Sequence, residues 1–132
     1  MKGRNVLVVE DCYLMAATLQ DMLVEAGADV VCLASSVAAS LAAIEQYPID
    51  IACLDINLGF ETSFPVADQL AARGIPFVFV STHHADVVPP AHRHRPFVDK
   101  LQAWLELLPA CRAAMLPVVG CPAAEPAMML AP

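Results

Sequence analysis

The chain has 132 residues and a mass of 14.1 kDa, the size of one ordinary domain, so any output or catalytic partner is expected to be another molecule. Hydrophobic residues make up 58%, charged residues 16%, and mean hydropathy is +0.60, which excludes a compositionally disordered protein. Seven Lys and Arg against fourteen Asp and Glu give a net charge of −7 and a pI near 4.8, a balance that repels phosphate backbones and argues against nucleic-acid binding.

From the first residues, Met-Lys-Gly-Arg-Asn leads into Val-Leu-Val-Val, too short an apolar run for a signal peptide. The uncharged stretch from Val30 to Ile44 is short of a membrane span and contains Ser35, Ser36 and Ser40, so no membrane association and a cytoplasmic location are expected. The run from Asn5 to Val9 reads as a buried strand that ends in two acids, Glu10 and Asp11. Asp11 is also a candidate N-cap for a helix in which Leu14, Leu19, Met22, Leu23 and Ala26 recur at helical spacing until Gly27.

The unit then repeats. Asp29 to Leu33 is a second strand, Ser35 and Ser36 open an Ala-rich helix through Tyr47, and Pro48 ends it. Ile49 to Leu54 is a third strand closing on Asp55; a polar loop from Asn57 to Thr62 leads to a helix from Ser63 to Arg73, with Pro65 in its first turn. Ile75 to Val80 is a fourth strand ending at Ser81 and Thr82, and Pro96 to Asp99 a fifth ending at Lys100. Between them, Pro89-Pro90 and the cluster His83, His84, His92, Arg93, His94 and Arg95 predict an irregular fourth helix on a solvated, mildly basic loop. A last helix runs from Gln102 to Met115, with Pro109 expected to kink or split it.

Strands alternating with helices predict an α/β fold, a doubly wound five-stranded parallel sheet occupying residues 1–116. Residues 117–132 carry Pro117, Pro122, Pro126 and Pro132 among Ala and Met without periodicity, which reads as a disordered tail or a peptide-like ligand for another surface. Cys12, Cys32, Cys53, Cys111 and Cys121 are odd in number and lack C-x-x-C spacing; they read as reduced thiols.

In open parallel sheets the ligand site lies beyond the carboxyl ends of the strands. There the chain places Glu10, Asp11, Asp55, Ser81 and Lys100. Clustered carboxylates repel one another unless a cation joins them, and an all-oxygen set suits a hard ion such as Mg²⁺.

The ordered set Val-Val-Glu10-Asp11, Leu54-Asp55-Ile-Asn57-Leu-Gly59, Phe79-Val80-Ser81 and Pro96-Phe97-Val-Asp-Lys100 resembles the receiver domain of bacterial two-component response regulators, a flavodoxin-like fold. The stretch from Asp55 to Val80 resembles a subgroup often found as stand-alone proteins in alphaproteobacteria. The resemblance implies that Asp55 is the phosphoacceptor, fed by a histidine kinase or a histidine phosphotransfer protein. It implies Mg²⁺ on Asp11 and Asp55, with Glu10 acting through water and the Asn57 backbone carbonyl as a further ligand. Lys100 and Ser81 would contact phosphoryl oxygens, and Phe97 would be the aromatic that turns inward on switching.

Three positions depart from the family pattern. Leu101 follows the lysine where proline is usual, Thr82 is branched where a small residue is usual, with His83 beside it as a second modulator, and Pro89-Pro90 interrupts the fourth helix. The protein is expected not to be a turnover enzyme but a phosphoacceptor with Mg²⁺-dependent chemistry on itself, signalling to a downstream protein, with a homodimer through the last helix as an option. The rival reading is a phosphorylation-independent interaction module. A hydrolase of the haloacid dehalogenase type would need a second acid two residues after Asp55, where Asn57 stands.

Overall fold

The computed structural model describes residues 1–82 and 85–116. His83, His84, Cys121 and the 117–132 segment, on which several expectations fall, lie outside the described residues. The order is β1 (Asn5–Val9), α1 (Tyr13–Glu25), β2 (Asp29–Ala34), α2 (Val37–Gln46), β3 (Ile51–Leu54), α3 (Phe64–Ala72), β4 (Phe77–Ser81), β5 (Phe97–Asp99) and α4 (Ala103–Met115). All strand pairs are parallel in the order β2-β1-β3-β4-β5, as the alternation of strands and helices predicts.

Side chains alternate across each strand. Leu7, Val9, Ala52, Leu54, Phe77 and Phe79 join the core under α2 and α3, whereas Val6, Val8, Ile51, Cys53, Val78 and Val98 join the core under α1 and α4. Burial on both faces explains why β1, β3 and β4 read as unbroken apolar runs. Where β3 starts later than expected, Asp50 turns its carboxylate onto the Asn5 N–H at 2.7 Å. Ile75 belongs to the turn closing α3, because its N–H donates to the Leu70 carbonyl.

Local chemistry sets the helix ends. Gly27 has φ +95°, and a Cβ there would lie 3.0 Å from the Lys2 Cα, so both conformation and space require glycine. Ser36 caps α2 by accepting from the Ala39 N–H. Asp11 does not cap α1: Cys12 holds that position without a side-chain cap bond. Pro109 neither ends nor splits α4, which is continuous; Leu107 and Cys111 on either side are fully buried, and that packing outweighs one lost backbone hydrogen bond.

Cys53 on β3 and Cys111 on α4 are free thiols with sulfurs 3.8 Å apart. Their hydrogen bond, together with burial, pushes the Cys53 thiol well above its ordinary range. No described helix is long and apolar enough to cross a membrane.

The β4–β5 connection is exposed over most of its described residues, as a solvated loop is, and departs from that expectation at His92. The irregular helix is there as two separate 3₁₀ turns, Ala85–Val87 and Pro90–His92. His92, however, is buried, its Nε2 2.7 Å from Asp68 Oδ1 on α3 and its ring edge-on to Phe77. Arg95 lies over the same Phe77 ring at 4.4 Å. Arg93 donates to the Val88 and Asp86 carbonyls, so a basic-looking stretch spends its cations on ring faces and turn carbonyls.

Candidate functional site

The parallel register brings the ends of β1, β3 and β5 to one edge of the sheet. The Glu10 N–H still donates to the Ala34 carbonyl, and the Asp55 N–H to the Val9 carbonyl, so both acids are fixed by sheet-type hydrogen bonds before their side chains do anything. Glu10 and Asp55 are buried and Asp11 is exposed. One carboxylate oxygen from each of the three lies within 4.8 Å of the others.

Lys100 enters this cluster from the turn after β5. Its Nζ is 2.8 Å from Glu10 Oε1 and 3.2 Å from Asp55 Oδ2. Burial alone would lower the Lys100 pKa, but the hydrogen bond it donates to Glu10 and the charges of Asp55 and Glu10 raise it, so the ammonium stays protonated. Burial pushes Glu10 up to about 7, against the hydrogen bonds it accepts from Lys100 and from the Cys12 N–H. A single ammonium is therefore too little positive charge for three acids. An all-carboxylate donor set short of cationic charge fits a hard divalent cation.

Leu101 does not prevent Lys100 from reaching the acids. No cis peptide occurs among the described residues, and Lys100 opens a 3₁₀ turn whose first residues are held by Asp99, which accepts from the Leu101 N–H at 2.9 Å. A side chain invisible to motif reading thus orders the turn that carries the lysine.

The β3–α3 loop is tied down on several sides. Asn57 pairs with Thr62 in an antiparallel bridge, its Oδ1 accepts from the Gly59 N–H, and Glu61 accepts from the Val37 N–H at the start of α2. Gly59 has φ +87°, and a Cβ there would lie 3.9 Å from Asp11 Oδ2, so the loop passes close beside the acids. Ser81 is buried at the end of β4, Thr82 is exposed after it, and Phe97 is half-buried with its ring 6.5 Å from that of Phe79.

Two features were not read from the sequence. A shallow apolar depression of about 350 Å³, lined in part by Ile56, Asn57, Phe60, Phe64 and Val87, adjoins the acid cluster without including its carboxylates. Phe60 on its rim is fully exposed, a position that no hydrophobic periodicity marks. The other is the His92–Asp68 pair, 24 residues apart in the chain, which spacing rules cannot connect.

No family model and no curated protein matches the chain. Solved structures do. SdrG from Sphingomonas melonis Fr1 is 40% identical, with a TM-score of 0.75 over 87% of this chain and 98% of that one. The BeF3-activated conformation of SdrG from Pseudomonas melonis Fr1 aligns with 40% identity and a TM-score of 0.68 over 83% of this chain and 98% of that one. A signal receiver domain of a modulated diguanylate cyclase from Desulfovibrio desulfuricans G20 is 28% identical, with a TM-score of 0.75 over 86% of this chain and 94% of that one. Sheet order, acid cluster, opposed lysine and these likenesses agree: the chain belongs to the receiver-domain family of response regulators.

Proposed function

We propose that this receiver accepts a phosphoryl group on Asp55 from a histidine kinase or a histidine phosphotransfer protein, and signals by protein contact or by handing the group on. The observation that carries the reading is Lys100, one ammonium shared between the buried carboxylates of Glu10 and Asp55 at 2.8 and 3.2 Å. A cation already seated against the nucleophile is what an incoming anionic phosphoryl group requires.

In the transfer, a carboxylate oxygen of Asp55 forms the new O–P bond as the P–N bond to the donor imidazole breaks, and its electron pair returns to the ring nitrogen. Mg²⁺ would be held by Asp11 and Asp55, with Glu10 through water and the Asn57 carbonyl, and would supply charge that neutralises the phosphoryl oxygens. Lys100 pairs with one of those oxygens, and the Ser81 hydroxyl donates to another once its loop is drawn inward. Phe97, half-buried against Phe79, is the aromatic that follows. Thr82 governs the access of water to Asp55.

A protein donor suits the rim of the site. Tyr13, Leu14, Leu101 and Trp104 are exposed at the starts of α1 and α4, just after Asp11 and Lys100, where a partner's apolar surface would cover them. The test is intact-mass spectrometry after incubation with acetyl phosphate and Mg²⁺, beside Asp55→Asn. A single Mg²⁺-dependent phosphoryl adduct, removed by hydroxylamine and missing from the variant, is expected. Absence of any adduct with acetyl phosphate and with phosphorylated histidine donors would leave an interaction module in place of a phosphoacceptor.

A further inference from the structure

The described residues of the β4–β5 connection after Ser81 form two short 3₁₀ turns in place of an α-helix. Among its described residues only Val88 and His92 are buried. Val88 is apolar and packs into the core under α2 and α3. His92 has a directed partner, Asp68 on α3, at 2.7 Å.

The contact is built to be broken as well as made. The Asp68 side chain is 72% exposed while that of His92 is 5% exposed, so water competes for the carboxylate from outside. His92 Nδ1 is buried without a hydrogen-bond partner, and withdrawal of the ring would let water satisfy both nitrogens. A fully satisfied buried pair would resist opening; this one has an incentive to open that offsets part of the lost contact.

The same ring is joined to the switch aromatic. His92 packs edge-on to Phe77 at 5.5 Å between ring centres, Phe77 on Phe79 at 5.6 Å, and Phe79 against Phe97 at 6.5 Å. Phe77 and Phe79 are fully buried. In a close-packed interior a turn of Phe97 is accommodated by discrete repacking of its neighbours, not by free space. Drawing the Ser81 loop toward Asp55 would pull the near end of the connection to the sheet edge, while Asp68, in the second turn of α3, holds the far end.

We propose that the His92–Asp68 contact is a latch that closes the β4–β5 connection onto α3 in the resting chain and opens when Asp55 is phosphorylated. The latch rests on the reading of Asp55 as phosphoacceptor and adds to it a chain-specific control on switching. Because closing the latch opposes the activated state, removing it lets that state form more readily.

The experiment adds Mg²⁺ and beryllofluoride, an acyl-phosphate mimic, to the full chain and follows the backbone amides of Asp55 to Asn57 and the His92 ring nitrogens by NMR. The His92 signals are expected to move to those of a water-exposed imidazole as the amides respond. Asp68→Ala, a change at an exposed helix position, is expected to bind beryllofluoride about three- to tenfold more tightly than the parent chain. An unmoved His92 ring, or an unchanged affinity in Asp68→Ala, overturns the latch while leaving Asp55 chemistry intact. Amides that do not respond at all in the parent chain overturn the phosphoacceptor reading and the latch with it.

Discussion

Asp55 and the described residues between β4 and β5 both follow strands at the carboxyl edge of one sheet, but they are held in different ways. Asp55 takes its place from the backbone: its N–H donates to Val9, Glu10 continues the β1–β2 ladder, and Lys100 follows β5. The described residues of the connection form two 3₁₀ turns and are fastened by side chains, Val88 in the core and His92 on Asp68. Backbone fastening fixes where charge stands, and side-chain fastening allows a surface to be released. If Asp55 is the phosphoacceptor proposed above, the first kind of fastening serves the reacting carboxylate and the second a face that can change on switching.

The largest effect is expected where that fixed charge is unbalanced. Lys100→Met leaves Glu10 and Asp55 buried side by side without an ammonium, and should destabilise the metal-free chain at pH 7.5 by about 2–4 kcal/mol in urea unfolding. If Mg²⁺ is held by the same carboxylates, as proposed, millimolar Mg²⁺ should recover most of the loss by binding the folded state. A variant as stable as the parent without Mg²⁺ would show that the ion pair does not hold the cluster together.

Glu10 gives the same edge a pH signature. Its folded pKa, about 7, stands above the ordinary 4.5, so between those values the folded chain binds a proton that the unfolded chain has released. Stability from this group is complete below about pH 4.5 and is lost as pH rises toward 7, by at most about 3 kcal/mol. Urea unfolding of the parent and of Glu10→Gln should therefore diverge across this window without metal, with the parent falling relative to the variant as pH rises. Added Mg²⁺ should flatten the difference; parallel curves in metal-free buffer would mean that Glu10 is ionised throughout.

The connection should respond more weakly. His92→Leu keeps an apolar body against Phe77 but loses Asp68, and is expected to cost about 1 kcal/mol, with faster hydrogen exchange confined to residues 85–96 and none at Asp55. Exchange that quickens equally at both places would erase the distinction between the two kinds of fastening.

The two regions were also unequally legible. Each of β1, β3 and β4 is an apolar run ending in a polar residue, and burial on both sheet faces leaves few other readings, so sheet, order of units and the acids at its edge follow from the chain itself. The connection gave its irregularity away through Pro89-Pro90. Its contacts stayed hidden because burial of His92 depends on Asp68 and Phe77, residues that only tertiary packing brings to it. The cluster His92, Arg93, His94 and Arg95 looks solvated in one dimension, yet its members divide between a core ring, turn carbonyls and solvent.

The smallest effect tests a residue that belongs to the fixed edge but works through a side chain. Asp99 is exposed, and its one described task is to accept from the Leu101 N–H, capping the turn that begins at Lys100. Asp99→Ala should cost only about 0.5–1 kcal/mol, the ordinary worth of such a cap. If the cap orders the turn for Lys100, the rate of Mg²⁺-dependent phosphorylation by acetyl phosphate should fall by more than the small stability change explains, and Asp99→Asn, which keeps an acceptor oxygen, should restore most of it. Equal rates in Asp99→Ala and the parent would mean that Glu10 and Asp55 hold the ammonium in place without help from its own turn.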